Sequence, residues 1–187
     1  MNWTIIGEHL FIVCAASLLS IVVGLALGIV AYLLPFVRKF ILGVVDILQT
    51  IPALALLGLI MVVAGAGKLT VVVGITLYSL LPIVRNTWLG LSEVAPGIKE
   101  AATGCGMSKI QALLKVELPL ALPTIFTGIR IAVVNAIGTA VFAAFVGGGG
   151  LGSILNRGIR IQSLPLVCFG MVLWASWRNV WRLVTGF

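Results

Sequence analysis

The 187-residue chain is poor in charge, histidine, cysteine and tyrosine. Only 9% of its residues are Asp, Glu, Lys or Arg, against about 25% in an ordinary soluble domain. It has one histidine, His9, one aspartate, Asp46, and three cysteines, Cys14, Cys105 and Cys168. These shortages exclude several kinds of chemistry. No CxxC pair or other metal-ligand spacing is present, so no metal site is assigned and the thiols read as packing residues. Intramembrane hydrolysis would want an HExxH, a GxGD-type aspartate or a Ser/His pair, and the sequence supplies none of them. The GxxxxGK[ST] loop that cradles nucleotide phosphates is missing, so the chain carries neither a catalytic residue nor a cofactor of its own. No basic cluster with interleaved aromatics accompanies the net charge of +7, which argues against nucleic acid as a partner.

What is present is oil. Hydrophobic residues make up 61% of the chain, and the mean hydropathy is +1.24. Uncharged runs extend over Leu10 to Val37, Ile47 to Gly67, Leu69 to Val84, Ile131 to Asn156 and Ser163 to Trp177. A bilayer crossing needs about 20 apolar residues. The runs predict an all-α, polytopic membrane protein with about five transmembrane helices, over 10–34, 44–65, 69–85, 123–146 and 163–183. The fifth is the shortest, and Arg178 and Arg182 follow its clean part. The first is too long for a cleavable signal core, with Glu8 and no basic residue ahead of it. Gly24 and Gly28 within it have the spacing that lets helix backbones approach closely in lipid.

Basic residues concentrate on the cytoplasmic side of membrane proteins. With the N-terminus outside, the inner side receives Arg38, Lys39, Arg85, Lys99, Lys109, Lys115, Arg178 and Arg182, and the outer side only Lys68, Arg157 and Arg160. That topology puts the charged segment "EAATGCGMSKIQALLKVELPLALP", Glu100 to Pro123, in the cytoplasm. Pro96 and Gly97 break the preceding helix, and Lys99 to Cys105 can form a short one. Gly106 suits a reversal that needs positive φ. Ser108 stands three residues before Gln111, the pattern of a capping box, and opens a second helix over Lys109 to about Val116. Pro119 and Pro123 are expected to end it. Ile110, Leu113 and Leu114 give that helix an apolar stripe, which must bury against something: its own membrane helices, lipid headgroups or a groove on a soluble partner.

The same segment resembles the EAA loop of ABC-importer permeases, whose pattern is Glu-Ala-Ala, three residues, Gly, nine residues, Ile, any residue, Leu-Pro. Here Glu100, Ala101, Ala102, Gly106, Val116, Leu118 and Pro119 fall at those spacings, and Val116 for Ile is the one departure. The resemblance extends from about Glu8 to Arg160. It implies a single transmembrane permease domain over 1–187 with the type I importer (MetI-like) fold, and a cytoplasmic coupling loop over 92–122. In the family this loop docks on a separate ATP-hydrolysing subunit. Glu100 would make a polar contact there, Ala101 and Ala102 would permit close approach, and Gly106 would make the turn. The implied partners are ABC ATPase subunits, a second permease chain, identical or homologous, an extracytoplasmic substrate-binding protein and the bilayer of a bacterial or archaeal plasma membrane.

Three further stretches, Gln49–Lys68, Leu77–Leu91 and Phe145–Gly152, look like permeases of the osmoprotectant branch, which import glycine betaine, choline or carnitine. Parts of them are shared with permeases for methionine. The segment from about 166 to 187 departs from the family, whose permeases continue with a longer apolar helix, and this puts a complete fifth span in doubt. A stand-alone channel or secondary transporter would want buried ionisable residues or inverted repeats, and neither is evident.

Polar residues in the spans supply a candidate translocation path. Gln49, Thr50, Asn135 and Thr139 lead it, with Tyr78 and Asn86 beside them, and interhelical hydrogen bonding is the competing reading. Gly147, Gly148, Gly149 and Gly150 should break the fourth helix near the outer face, as an outer gate, a docking surface or a plain reversal. Trp174, Trp177 and Trp181 read as an interfacial belt. Asp46 and Arg130 both fall near the inner interface, where a pairing between them is open.

Overall fold

A computed structural model of the chain describes residues 3–172 and 175. Every regular element among them is helical. The order is α1 (Trp3–Leu33), α2 (Pro35–Thr50), α3 (Ala53–Ala64), α4 (Lys68–Ser92), α5 (Pro96–Gly104), α6 (Lys109–Ala112), a π turn over Leu113–Glu117, α7 (Leu118–Thr139), a 3-10 segment over Ala140–Val146 and α8 (Gly152–Arg160). Residues 164–172 are helical as well. Trp174, Trp177, Trp181, Arg178 and Arg182, and with them the end of the fifth predicted span, lie outside the described residues.

Three stretches among the described residues are long and apolar enough to cross a membrane: Thr4–Leu33, Lys68–Ser92 and Lys109–Val146. A fourth crossing results if α2 and α3 count as one broken span. The expected helix over 44–65 is therefore not continuous. It is interrupted at Ile51 and Pro52, where proline has no N–H to give and disfavours the helical conformation in the residue before it. Pro82, by contrast, sits inside an unbroken α4. There Asn86 Nδ2 donates to the Pro82 carbonyl at 2.7 Å, a bond within one helix. α1 exposes Phe11, Leu18 and Val22 as freely as it buries Ile12 and Ala16. A helix that is apolar all round belongs in lipid rather than on the surface of a soluble protein.

Helical contacts divide the chain into two compact units. Among the described residues, one comprises 3–18, 51–78 and 133–172. Its buried side chains include Ile12, Leu57, Val71, Ile75 and Ile137. The other comprises 19–50 and 79–132. Its core gathers Leu91, Leu113, Ala121 and Ile125, with Leu25, Ile29, Tyr32, Leu118 and Ile129 packed against them. In this second unit Gly24 and Gly28 face α4. A Cβ on Gly24 would lie 2.8 Å from the Ile83 side chain, and one on Gly28 would lie 2.5 Å from Thr87 Cβ. The small-residue spacing thus serves backbone approach, which is how helices pack where lipid removes the hydrophobic drive. Asp46 finds its partner in the same unit. Arg85 Nη2 donates to both carboxylate oxygens at 3.2 Å, so Arg85 serves as its counter-ion.

A side chain at Gly28 has nowhere to go, while a methyl added at Gly43 would meet nothing within 4 Å. Gly28→Leu is expected to destabilise the chain by about 1–3 kcal/mol, the usual cost of overpacking. Gly43→Ala is expected to be near neutral. Thermal unfolding of the two variants in detergent measures the difference; equal midpoints would mean that α1 and α4 are not in close contact.

Candidate functional site: the two-helix segment between α4 and α7

The Glu100–Pro119 segment is built by two helix signals placed almost back to back. α5 starts with Pro96 at its first position, where the missing N–H costs nothing. It ends in a Schellman turn: the Met107 N–H donates to the Ala102 carbonyl at 3.1 Å and the Gly106 N–H to the Thr103 carbonyl at 2.9 Å. Gly106 occupies the left-handed position of that turn, with φ of 79°. One residue, Met107, separates it from Ser108, which caps α6. Gln111 N–H donates to Ser108 Oγ at 3.3 Å, and Ser108 N–H donates to Gln111 Oε1 at 2.9 Å. The reversal and the capping box both follow from residues legible in the sequence.

The end of the second helix differs from expectation. The chain does not leave the helix at Pro119 and Pro123. It widens into the π turn, in which the Leu118 N–H reaches back to the Leu113 carbonyl, and then continues as α7. A wide turn just ahead of Pro119 gives the proline ring room beside the carbonyls of the preceding turn, so the helix survives a residue that would otherwise break it. Pro123 lies inside α7.

The motif residues separate by exposure. Glu100 and Ala101 face outward, whereas Ala102 is buried. Gly106 and Pro119 are exposed, and Val116 and Leu118 are half-buried. The apolar stripe divides too. Leu113 packs into the core cluster, but Ile110 stays 69% exposed and Leu114 57%. Two large apolar side chains therefore stand uncovered on a segment rich in charge.

Glu117 is the residue that sequence reasoning missed. It is 8% exposed and accepts a hydrogen bond of 2.5 Å from the Tyr32 hydroxyl. The signal was available: Leu113, Ala121 and Ile125 recur at four-residue spacing and are all buried, and Glu117 is the charged member of that row.

The other expected site residues are placed as follows. Gln49 and Thr50 end α2, and the Thr50 hydroxyl donates to the Ile47 carbonyl of its own helix at 2.7 Å. Asn135 and Thr139 are one turn apart on α7, with the Thr139 hydroxyl donating to the Asn135 carbonyl at 2.8 Å. The glycine run does interrupt the helix, since Gly147, Gly149 and Gly150 all have positive φ. It is held within its own unit by contacts that sequence reasoning did not foresee. Glu8 accepts from the Gly150 N–H at 3.4 Å and pairs with Lys68 at 3.0 Å. Gly67 N–H donates to the Val146 carbonyl at 3.0 Å. His9, 1% exposed, lies against Gly150. Among the described residues no group of His, Cys, Asp and Glu is arranged to hold a metal ion.

Gly106 has open space where a Cβ would stand, so a side chain there is penalised by backbone conformation alone. Gly106→Ala is expected to weaken the turn by about 1–2 kcal/mol without disturbing the membrane helices. Hydrogen exchange of the Met107 and Gly106 amides is the direct measure. Unchanged protection would show that the turn does not depend on the left-handed residue.

Comparison with known proteins bears on the family and the fold. The family described as "Binding-protein-dependent transport system inner membrane component" matches residues 17–177. The osmoprotectant import permease protein OsmW of Salmonella typhimurium is 42% identical over 171 residues, covering 89% of this chain and 80% of that protein. The glycine betaine/carnitine/choline transport system permease protein OpuCD of Bacillus subtilis is 43% identical over 181 residues, covering 96% and 79%. A solved structure of the MetNI methionine ABC transporter in an inward-facing conformation superposes with a TM-score of 0.84 at 24% identity, over 95% of this chain and 89% of that one; at that identity it speaks for the fold. With its helices, its motif segment and these relatives in agreement, the chain belongs to the inner-membrane permease family of binding-protein-dependent ABC transport systems.

Proposed function

We propose that the chain is the permease subunit of an ATP-driven importer for a quaternary-amine osmoprotectant: glycine betaine, choline or carnitine. The cargo is carried over from relatives at about 40% identity whose names specify those solutes. The observation that carries the coupling role is the exposed pair Ile110 and Leu114 on a two-helix segment whose turn and cap are both hydrogen-bonded. A short rigid helix with uncovered apolar side chains suits a groove on a soluble protein. That protein is an ABC ATPase subunit, since this chain has no phosphate-binding loop.

In this reading residues 1–187 form one permease domain with its coupling loop at 92–122. The N-terminus is outside and the loop inside, in the plasma membrane of a bacterium or archaeon. The chain works beside a second permease subunit, identical or homologous, and an extracytoplasmic binding protein. Closure of two ATPases moves the docked helix as a rigid body, and the cavity changes its side of access. Gln49, Thr50, Asn135 and Thr139 are the proposed path residues. The Thr50 and Thr139 hydroxyls bond within their own helices. Gly147 to Gly150, tethered through Glu8 and Lys68, is the proposed outer gate.

The test is ATP hydrolysis in vesicles holding this chain, its ATPase, its binding protein and any second permease. Glycine betaine, choline, carnitine and methionine are added singly. Stimulation by a quaternary amine is expected; stimulation by methionine alone would overturn the cargo and keep the mechanism. Gly106→Asp is expected to reduce cargo-stimulated hydrolysis to the unstimulated level while the chain remains in the membrane. Normal uptake in that variant would remove the coupling role from the loop.

A further inference from the structure

Tyr32, Lys99 and Glu117 come together in the second unit from three separate elements, and no motif assigns any of them a task. Tyr32 is at the end of α1, Lys99 is in α5 immediately before Glu100, and Glu117 is in the π turn. Within the EAA pattern Glu117 occupies the position open to any residue, between Val116 and Leu118. The Tyr32 hydroxyl donates to Glu117 Oε2 at 2.5 Å and accepts from Lys99 Nζ at 3.0 Å. The two opposite charges are thus joined through one phenol. Lys99 Nζ also donates to the Leu91 carbonyl near the end of α4 at 3.0 Å, and it lies 5.0 Å from the centre of the Tyr32 ring. Tyr32 also packs against Leu91, Leu113 and Ile125.

We propose that Tyr32, Lys99 and Glu117 are positioning residues, a polar clasp that makes α1 and α4 follow the coupling segment when it moves. The inference rests on the coupling role proposed above and adds the route by which force leaves the loop. Apolar contact alone lets helices slide, because a Leu against a Leu is equally content one side chain further along. A charge-assisted hydrogen bond has a preferred geometry, and displacing it leaves the buried Glu117 carboxylate without its partner. The clasp residues bracket the motif: Lys99 precedes Glu100, and Glu117 falls just before Leu118 and Pro119. Any rigid displacement of α5 and α6 therefore pulls on Tyr32 from two sides. The π turn under Glu117 fits this use, since such turns aim side chains that a regular helix would direct elsewhere.

The test uses the complete transporter in vesicles, with glycine betaine, choline, carnitine or methionine, whichever the wild type responds to. Uptake and ATP hydrolysis are measured in the same vesicles, and the readout is solute moved per ATP hydrolysed. Tyr32→Phe keeps the ring and its packing but removes the shared hydroxyl. It is expected to lower the ratio about tenfold, the size of one lost hydrogen bond to a charged group, with ATPase subunits still bound. Glu117→Ala is expected to do the same and gives an independent reading if Tyr32→Phe does not accumulate. Glu117→Gln, which keeps an acceptor for the phenol, is expected to restore most of the ratio. A merely structural role would lower uptake and hydrolysis in proportion and leave the ratio at the wild-type value; that result overturns the clasp alone. A wild-type chain that binds no ATPase overturns the coupling role and the clasp with it.

Discussion

The bilayer offers no water to a peptide group, so each backbone N–H and C=O must find its partner inside the protein. The rest of the structure follows from that constraint. It makes the described chain helical throughout its spans, and it turns each departure from the helix into a place that needs explicit hydrogen-bonding arrangements. The Schellman turn at Gly106 and the box at Ser108 are complete in this sense. The glycine run after the 3-10 segment is anchored by Gly148 N–H on the Ala143 carbonyl and by Gly67 N–H on Val146. The irregular stretches are few, and each is held by named bonds.

Packing in such a chain depends on shape more than on oil. Gly24 and Gly28 in α1, and Gly128 in α7, place backbone against α4 where any Cβ would collide. Polar side chains mostly spend their hydrogen bonds locally: Asn86 on Pro82, Thr76 on Val72, Thr127 on Pro123. Other polar contacts among the described residues are long-range. Glu8 with Lys68, Asp46 with Arg85, and Tyr32 with Glu117 and Lys99 join segments far apart in sequence. The first two are exposed pairs worth about 0–1 kcal/mol each, so their interest is in placement more than in stability.

Much of this was legible beforehand. Runs without charge located the spans, Gly106 and Ser108 located the turn and cap, and the EAA spacing located the motif. Local signals of this kind depend on a few neighbouring residues and survive in a single sequence. What stayed hidden depended on competition between effects. Pro52 interrupts a helix and Pro82 and Pro119 do not, because a proline's effect depends on its surroundings, as the wide turn ahead of Pro119 illustrates. Arg85 meets Asp46 because of how α2 and α4 pack, which no spacing reveals. Glu117 was readable in principle as the charged member of a buried four-residue row, yet its place beside Val116 and Leu118 in a charged loop disguised it.

The π turn between α6 and α7 has a consequence for how this chain can change over generations. A wide turn holds one residue more than a regular helix covering the same path, so it is an insertion already absorbed into the fold. A descendant that lost the extra residue would meet the proline ring as helices with an internal proline ordinarily do, by bending, and Glu117, carried on that turn, would be re-aimed by about 100°, one residue's rotation of a helix.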